Sequence, residues 1–186
     1  MSPVTVRTED LSRKASLSEE QATRFESLFL EHWPRVYAVL FRLVGDPAEA
    51  EDLALEAFLR LYHRLPTGAD NPGGWLYRVA TNLGFNALRA RSRRVQYEEQ
   101  AGRLALEAGA PLDPAGEAER AEERRQVQAV LGKMKPRSAR LLILRHSGLS
   151  YAEIAAALDL APGSIGALLA RAAAEFEDRY RKLVGD

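Results

Sequence analysis

The chain has 186 residues, of which 46% are hydrophobic, and its 26 Lys and Arg residues balance 26 Asp and Glu residues. This length allows one domain or two small ones, and the zero net charge leaves only the charge distribution to indicate a nucleic-acid partner. The absence of cysteine excludes disulfides, thiolate nucleophiles and cysteine-based zinc sites. The polar start lacks a secretory signal and no apolar run reaches the ~18 residues of a membrane span, so we expect a cytoplasmic protein without membrane insertion.

The first elements predicted are helical. Residues 1–17 are mixed in charge and aperiodic, and we expect a flexible tail there. Ser18 and Gln21 resemble a capping box, which predicts that a helix starts there. Pro34 interrupts the apolar pattern, which resumes at once, so a kink or two abutting helices are predicted before Gly45 ends the unit.

A second helix with an acidic face follows. Asp46 and Pro47 suit its N-cap and first turn, and Glu49, Asp52 and Glu56 lie away from its apolar face. No pocket-forming loop, metal ligand or nucleophile accompanies these carboxylates, so catalytic use is disfavoured. A solvated acidic face and a docking surface for a basic partner both remain open.

The stretch from 71 to 94 predicts a basic helix. Asn71 and Pro72 suit its N-cap and first position, and no Asp or Glu lies between Trp75 and Gln96. Its polar faces carry Arg78, Asn82, Asn86, Arg89, Arg91, Arg93 and Arg94. Cations, amides and aromatic side chains together are suited to phosphates, base edges and unpaired bases. An ordinary solvated basic face is the alternative.

A change in composition divides the chain. Residues 98–118 are rich in Gly, Pro, Ala and acids, and predict a linker. Farther on, Ser150 and Glu153 form a capping box that opens a short helix, and Pro162 begins a longer one. Two helices joined by a short turn are typical of a helix-turn-helix, a pattern that also occurs in plain helical hairpins.

The second unit also has one-sided charge, because no acidic residue lies between Arg124 and Ala152. Contact with a phosphate backbone needs such a distribution. The predicted fold is therefore all-α, with two small helical domains, 18–97 and 119–186, joined by the flexible linker 98–118. The second domain contains the helix-turn-helix.

These motifs carry a family resemblance over residues 25–183. The chain resembles bacterial RNA polymerase sigma factors of the extracytoplasmic-function (ECF) type in three successive stretches: GDPAEAEDLALEAFLRLY, GGWLYRVATNLGFNALRARSRR and LSYAEIAAALDLAPGSIGALLARA. The resemblance implies a factor that binds core RNA polymerase, recognises promoter DNA and promotes transcription initiation. It implies neither an enzyme activity nor a cofactor or metal, and it suggests an anti-sigma factor as a further partner.

The resemblance also assigns residues to three surfaces. The acidic helix would bind polymerase through Glu49, Asp52, Glu56 and Phe58. The basic helix would bind the minus-ten promoter element through Trp75, Tyr77, Arg78, Asn82, Asn86, Arg89 and Arg93. The second domain would bind the minus-thirty-five element through Arg137, Arg140, Arg145, Ser164 and Arg171. Phe58 and Trp75 serve equally well as core residues.

The chain departs from the family pattern in three places. Leu55 stands where a Gln is common, and Asn86 where an Asp is common. A rotation of about 100° per residue along the last helix places only small residues toward solvent. These residues are Gly163, Gly166, Ala167, Ala170 and Ala174. We therefore predict that this helix contacts DNA mainly through phosphates, or that its small-residue face packs on another protein.

Two other classes remain open at the level of sequence. A sigma-like transcription regulator would bind duplex DNA without polymerase or promoter opening. A protein-interaction module would be a sigma-like chain that binds other proteins and does not open a promoter. An enzyme is the least favoured class, because His32, His63 and His146 are far apart and lack metal-ligand spacing. We expect these histidines to be surface or hydrogen-bonded core residues.

Overall fold

A computed structural model describes residues 8–64, 71–100 and 114–185. These ranges form seven α-helices and one 3₁₀ turn, without a strand, which confirms the all-α prediction. The helices are α1 (Thr8–Val44), α2 (Pro47–Arg64), α3 (Pro72–Gln100), α4 (Pro114–Lys133), α5 (Pro136–His146), α6 (Tyr151–Leu158) and α7 (Ile165–Val184), and the 3₁₀ turn is Pro162–Ser164. Within the described ranges, no helix alone is long and apolar enough to cross a bilayer; only the bent pair of α6 with 162–184 meets those criteria together.

The helix ends differ from the sequence-based boundaries. Helix α1 already begins at Thr8, where a flexible tail was predicted, because no Gly or Pro lies between Thr8 and Pro34. It continues through Pro34 as one helix, so the two abutting helices do not form. Helix α3 extends to Gln100 and α4 begins at Pro114, so both enter the predicted linker. The rest of that linker, residues 101–113, lies outside the described residues.

Helices α1, α2 and α3 form the first half of the molecule. Leu40 and Leu43 of α1, Leu61 of α2 and Leu76 of α3 are fully buried between them. Burying one such side chain contributes about 1.5–3 kcal/mol. The acidic face of α2 and the basic face of α3 are the surfaces that remain outside this core.

Phe58 belongs to the core rather than to the polymerase-binding surface that the sequence analysis assigned it. Its side chain is 1% exposed. Its ring lies 4.7 Å from that of Phe29, 5.8 Å from that of Trp33 and 6.3 Å from that of Phe25, measured between centroids. Because three aromatic side chains of α1 cover its ring, Phe58 cannot reach a partner.

Helices α4 to α7 form the second half, in which α6 and α7 make the predicted helix-turn-helix. The capping box of α6 is present: Glu153 N–H donates to the Ser150 hydroxyl, and Ser150 N–H donates to the Glu153 carboxylate. Asp159 ends α6 in the left-handed region, with φ of 56°. The N-terminus of α5 is capped from α7, because Lys135 N–H donates to Glu175 Oε1 at 3.0 Å.

The two halves pack against each other. Helix α3 lies against α4 and α6, α1 lies against α4 and α5, and buried apolar residues of both halves form one connected cluster. Gly45 permits the approach of α4, because a Cβ there would lie 2.6 Å from the Gln128 Nε2 atom. Its φ of +77° also favours glycine. Part of the polar face of α3 consequently faces the second half.

Candidate nucleic-acid and polymerase surfaces

The basic face of α3 is formed as predicted. Asn71 caps the helix, since its Oδ1 accepts the Gly74 N–H at 2.8 Å. The polar candidates lie at three- and four-residue intervals, which places them along one side of the helix. Arg78, Asn82, Asn86, Arg89 and Arg93 are all exposed side chains on this side.

The N-terminal part of this face is engaged by the second half. Arg78 Nε donates to the carbonyl oxygen of Ala157 at 2.9 Å. Asn82 Oδ1 accepts from an Arg140 guanidinium nitrogen at 2.8 Å. Two predicted minus-ten residues therefore already have protein partners, and one of these partners is a predicted minus-thirty-five residue.

The C-terminal part of the face is open. Arg89 donates to the Phe85 carbonyl and to Asn86 Oδ1, both at 3.1 Å, so these two polar side chains are held side by side. Arg93 lies one turn farther along and is exposed. Asn86, Arg89 and Arg93 together present amide and guanidinium groups to solvent.

Tyr77 does not belong to the exposed face, which corrects its assignment as a stacking residue. Its side chain is 1% exposed, and its hydroxyl lies 3.1 Å from His32 Nδ1. Burial raises the pKa of Tyr77 to about 12. The spacing from Tyr77 to Ala80, Thr81 and Gly84 matches the buried stripe of α3, and this signal would have identified it as core.

Trp75 lies at the margin of the core, and its ring is half-buried. The Arg64 guanidinium lies over that ring, 5.2 Å from its centroid. Arg64, at the end of α2, thus covers one face of the ring at the start of α3. Trp75 remains a stacking candidate, whereas the loop before it, 65–70, lies outside the described residues.

The face of α2 combines carboxylates with exposed apolar side chains. Glu49 and Asp52 are exposed, and Glu56 pairs with Arg60 at 2.5 Å. Leu55 is 48% exposed and Leu59 is 56% exposed. We call Asp52, Leu55, Glu56 and Leu59 the docking patch, because their spacing places them on one face of the helix.

Sequence analysis missed the role of Leu59 in this patch. The signal was present, because Leu59 falls outside the buried stripe formed by Ala50, Ala54, Ala57 and Leu61. An apolar side chain that lies off such a stripe is exposed, and exposed apolar groups next to charges are typical of protein interfaces.

The predicted minus-thirty-five residues separate into two groups. Arg137 and Arg171 line one groove between α5 and α7, together with Lys135. Arg140 instead faces Asn82, and Arg145 donates to the Leu149 carbonyl at 3.2 Å. Of the predicted minus-thirty-five arginines, only Arg137 and Arg171 therefore line the groove.

Helix α7 confirms the prediction of a face without polar groups. Gly163, Ala167, Ala170 and Ala174 are exposed, and Gly166 is half-buried beside the Tyr151 ring. The predicted Ser164 hydroxyl is used locally, because it donates to the Ala161 carbonyl at 2.7 Å. None of the exposed side chains among these residues offers a hydrogen bond to a base edge.

The histidines occupy the predicted surface and core positions. His63 and His146 are exposed, whereas His32 is buried against Tyr77. In the part of the chain that the structure describes, no three side chains of the metal-binding types lie together. The arrangement as a whole therefore offers two basic surfaces and one acidic, partly apolar patch.

Comparison with known proteins identifies the family. The family model for sigma-70 region 2 matches residues 28–94, and the model for sigma-70 region 4 matches residues 124–175. The chain is 30% identical to the RNA polymerase sigma-H factor of Pseudomonas aeruginosa over 80% of this chain and 81% of that protein. The chain is an ECF-type sigma factor.

Further relatives agree with this assignment. The sigma factor is 31% identical to the ECF RNA polymerase sigma factor SigE of Mycolicibacterium smegmatis, over 85% of this chain and 62% of that protein. It is 30% identical to the RNA polymerase sigma factor CarQ of Myxococcus xanthus, over 87% of this chain and 90% of that protein.

Two solved structures share the fold of the sigma factor. CnrH in complex with the cytosolic domain of CnrY aligns with a TM-score of 0.54 at 21% identity, covering 83% of this chain and 85% of that one. The sigma factor RpoE of Bartonella quintana, in complex with the anti-sigma factor NepR, aligns with a TM-score of 0.51 at 22% identity, covering 87% and 96%. The likeness supports the fold.

Family membership gives the described surfaces a common context. The matched region 2 contains α2 and most of α3, and therefore the docking patch and the basic face. The matched region 4 contains α5, α6 and the first half of α7. A sigma factor works in transcription with RNA polymerase and promoter DNA.

Proposed function

We propose that this sigma factor divides its work between residues 18–97, which dock on core RNA polymerase and hold the minus-ten element, and residues 119–186, which lie along the minus-thirty-five element. The observation that carries the proposal is the separation of an acidic, partly apolar patch on α2 from an acid-free basic face on α3. We further infer that the chain acts in the cytoplasm, without a cofactor or catalysis of its own.

The docking patch fits a basic protein partner. Asp52 and Glu56 supply charge that steers association, while Leu55 and Leu59 supply apolar area that a partner buries. Glu49 extends the acidic surface toward the start of α2. Because Leu55 replaces a polar residue common in the family, we expect polymerase binding here to depend more on apolar contact.

The basic face of α3 fits separated DNA strands. Arg89 and Arg93 are placed to neutralise phosphates, and Asn82 and Asn86 carry amides that hydrogen-bond base edges. Trp75 has a half-buried ring on which a base can stack when Arg64 moves off its face. Amides and an aromatic ring beside the cations support base contact in addition to phosphate contact.

The groove between α5 and α7 fits a duplex backbone. Lys135, Arg137 and Arg171 line it, and all three are exposed cations. Phosphate contacts position a protein on DNA but carry no sequence information directly. We therefore infer that the second domain positions the chain on the promoter, while the minus-ten contacts supply most of the sequence selectivity.

An anti-sigma factor is the further partner that we propose. Support comes from the two fold relatives, whose structures contain CnrY and NepR respectively. Support also comes from an apolar groove of about 490 Å³ where α1 meets α4, α5 and α7, lined by Phe41, Val127, Leu142 and Phe176. A groove of this character accepts an amphipathic helix.

Run-off transcription with core RNA polymerase, with and without the chain, tests the proposal. We expect Asn82→Ala combined with Arg89→Ala to abolish specific initiation and to leave polymerase binding intact. Asp52→Asn combined with Leu59→Ser should weaken binding to core polymerase by roughly tenfold or more and lower initiation with it. Arg125→Ala on exposed α4 is the control, and a lack of added initiation by the unaltered chain contradicts the proposal.

A protein-interaction module is the second candidate. The observation favouring it is the exposed small-residue face of α7, on which another helix can approach closely. This candidate predicts binding to core polymerase without initiation in the same run-off assay. A regulator acting without polymerase instead predicts sequence-specific binding of duplex DNA by the free chain.

A further inference from the structure

Helix α3 continues beyond the part of the chain that builds the core. Among the described residues, the apolar cluster contains no residue of α3 after Leu88. The Arg91 guanidinium still donates to the Val44 carbonyl, at the end of α1, at 3.1 Å. The helix then runs on to Gln100, whereas the match to sigma-70 region 2 ends at residue 94. The last turns of α3 therefore contribute surface rather than apolar core.

An exposed aromatic side chain lies on these last turns. Tyr97 is 69% exposed. It follows Arg93 by four residues and Arg94 by three, the two intervals that bring side chains together on the surface of a helix. Both arginines are exposed as well. Arg93, Arg94 and Tyr97, which we call the terminal cluster, therefore present two guanidinium groups and a phenol to solvent.

The terminal cluster continues the basic face of α3. Arg93 and Tyr97 follow Arg89 at intervals of four residues, which places all three on one side of the helix. No Asp or Glu occurs between Trp75 and Glu98, so Tyr97 is the last residue of an acid-free stretch. Guanidinium groups neutralise phosphates, and a tyrosine hydroxyl donates to phosphate oxygens. The cluster therefore matches the chemistry of a nucleic-acid backbone.

The two ends of the basic face suit DNA in different states. The N-terminal end carries the ring of Trp75 and the amides of Asn82 and Asn86, which suit unpaired bases and base edges. The C-terminal end carries cations and a phenol, which contact a backbone without reading its sequence. The chain also continues from this end toward the residues proposed to lie on the minus-thirty-five element, where the DNA is a duplex.

We propose that the terminal cluster holds the backbone of duplex DNA next to the minus-ten element, on the side of the minus-thirty-five element. Arg93 and Arg94 neutralise phosphates there, and the Tyr97 hydroxyl donates to a phosphate oxygen. At a rise of ~1.5 Å per residue, Tyr97 lies about 17 Å beyond Asn86 along α3, a length of about five base pairs at ~3.4 Å each. The placement on the promoter rests on the proposed function, whereas the contact with duplex DNA does not.

Substitutions of Tyr97 separate a phosphate contact from stacking. Tyr97→Phe removes only the hydroxyl, whereas Tyr97→Ala removes the ring as well. A hydrogen bond to phosphate predicts that both variants lose a similar affinity, whereas stacking on an unpaired base predicts that Tyr97→Phe retains it. Val95→Ala is the matched control, because Val95 is 44% exposed and lies two residues from Tyr97, on the opposite side of the helix.

Binding of the full chain to a short labelled duplex of random sequence, and to its separated strands, tests the contact. We expect Tyr97→Phe and Tyr97→Ala to weaken duplex binding by a similar factor, roughly threefold to tenfold. Arg94→Ala should weaken it too and lower the salt slope by about one, whereas Val95→Ala should change neither.

Three outcomes of this measurement overturn the inference. Duplex binding by Tyr97→Ala that equals that of Val95→Ala removes the contact. A duplex loss in Tyr97→Ala that Tyr97→Phe does not share removes the hydrogen bond to phosphate. A loss confined to single strands, which Tyr97→Phe again does not share, makes an unpaired base the ligand of Tyr97 instead of a duplex backbone.

Directed cleavage of promoter DNA tests the placement. The chain has no cysteine, so Ser92→Cys can carry a tethered iron–EDTA reagent directly before the terminal cluster and leave the cluster intact. The probe is a promoter selected from a random library by run-off transcription with core polymerase and the unaltered chain. We expect cleavage within about five base pairs of the minus-ten element, on its minus-thirty-five side. Cleavage only within the minus-ten element, or on its other side, overturns the placement.

The two measurements also separate this inference from the proposed function. If the Tyr97 variants lose duplex affinity as expected but the unaltered chain adds no initiation with core polymerase, the duplex contact stands. The proposed function then fails, and the placement beside the minus-ten element fails with it.

Discussion

Gly84 of α3 lies directly against α1. A Cβ on Gly84 would lie 2.6 Å from Leu43 Cδ1 and 3.2 Å from Leu40 Cδ2, and both leucines are fully buried. The overpacking should outweigh the gain in helix propensity, so we expect Gly84→Ala to lower the free energy of unfolding by about 1–3 kcal/mol. Urea unfolding measures this change.

Gly132→Ala is the matched control for that substitution. Gly132 is also helical, but a Cβ there meets only Leu88 Cδ2 at 4.0 Å. We expect it to be neutral or to stabilise by up to about 1 kcal/mol. Equal effects of the two substitutions would show that α1 and α3 are not packed as closely as described.

His32 should make stability depend on pH. Burial lowers the pKa of His32 from its ordinary value of 6.5, while Glu31 opposes this shift. Since the unfolded chain binds a proton more tightly than the folded chain, the neutral histidine stabilises the fold above pH 6.5. That contribution falls as the pH drops below 6.5 toward the lowered pKa.

Urea unfolding at pH 7 and pH 5 tests whether the free energy of unfolding falls as the pH drops. We expect His32→Gln to flatten the dependence, whereas His63→Gln, at an exposed site, should leave it as it is. A steeper loss of stability in His32→Gln than in the unaltered chain would contradict the assignment.

Sequence patterns predicted single residues unevenly. The exposure of Arg89 and Arg93 was predicted correctly, because both lie opposite the apolar stripe of α3. Phe58 and Tyr77 were wrong as contact residues, since an aromatic side chain suits a core and an interface equally and the choice depends on the neighbouring helix. For both residues, a position on the buried stripe of the helix was the better indicator.

At the scale of elements, α7 shows how a small-residue face changes what a helix can recognise. The glycines and alanines of its exposed face offer no hydrogen bonds to bases, whereas Arg171 of the same helix and Arg137 of α5 can neutralise phosphates. We expect a promoter library scored for transcription to show little base preference around the minus-thirty-five position. Strong preference there would contradict phosphate-dominated binding.

Salt dependence provides the second measurement on the same element. Replacing Arg137 or Arg171 with Ala should weaken DNA binding about equally for all sequences and reduce the salt slope by about one for each substitution. Lys182→Ala, which removes a cation already paired with Asp178 in the same helix, should change the slope less.

At the scale of the whole molecule, the sequence predicted the parts better than their arrangement. Caps, turn residues and apolar periods are local, and they indicated both helical halves and the helix-turn-helix. The contact between the halves depends on Arg78, Asn82 and Arg140, which have the same pattern whether they face DNA or protein. Only the fold brings them together, so no local signal could have indicated this contact.

The connected core predicts that the two halves unfold together. Both tryptophans, Trp33 and Trp75, lie in the first half, so their fluorescence reports that half alone. Circular dichroism at 222 nm reports helices of both halves. Because buried residues of both halves form one cluster, we expect the two urea transitions to coincide in the unaltered chain.

Arg35→Glu should separate these transitions, because it replaces the ion pair between Arg35 of α1 and Glu153 of α6 with two repelling carboxylates and removes no apolar core from either half. The fluorescence transition should keep a single step, while circular dichroism gains a second step from the independent second half. Separate transitions in the unaltered chain would mean that the two halves are only weakly coupled. Coincident transitions in both proteins would instead place the coupling in the buried apolar residues that form one cluster across both halves.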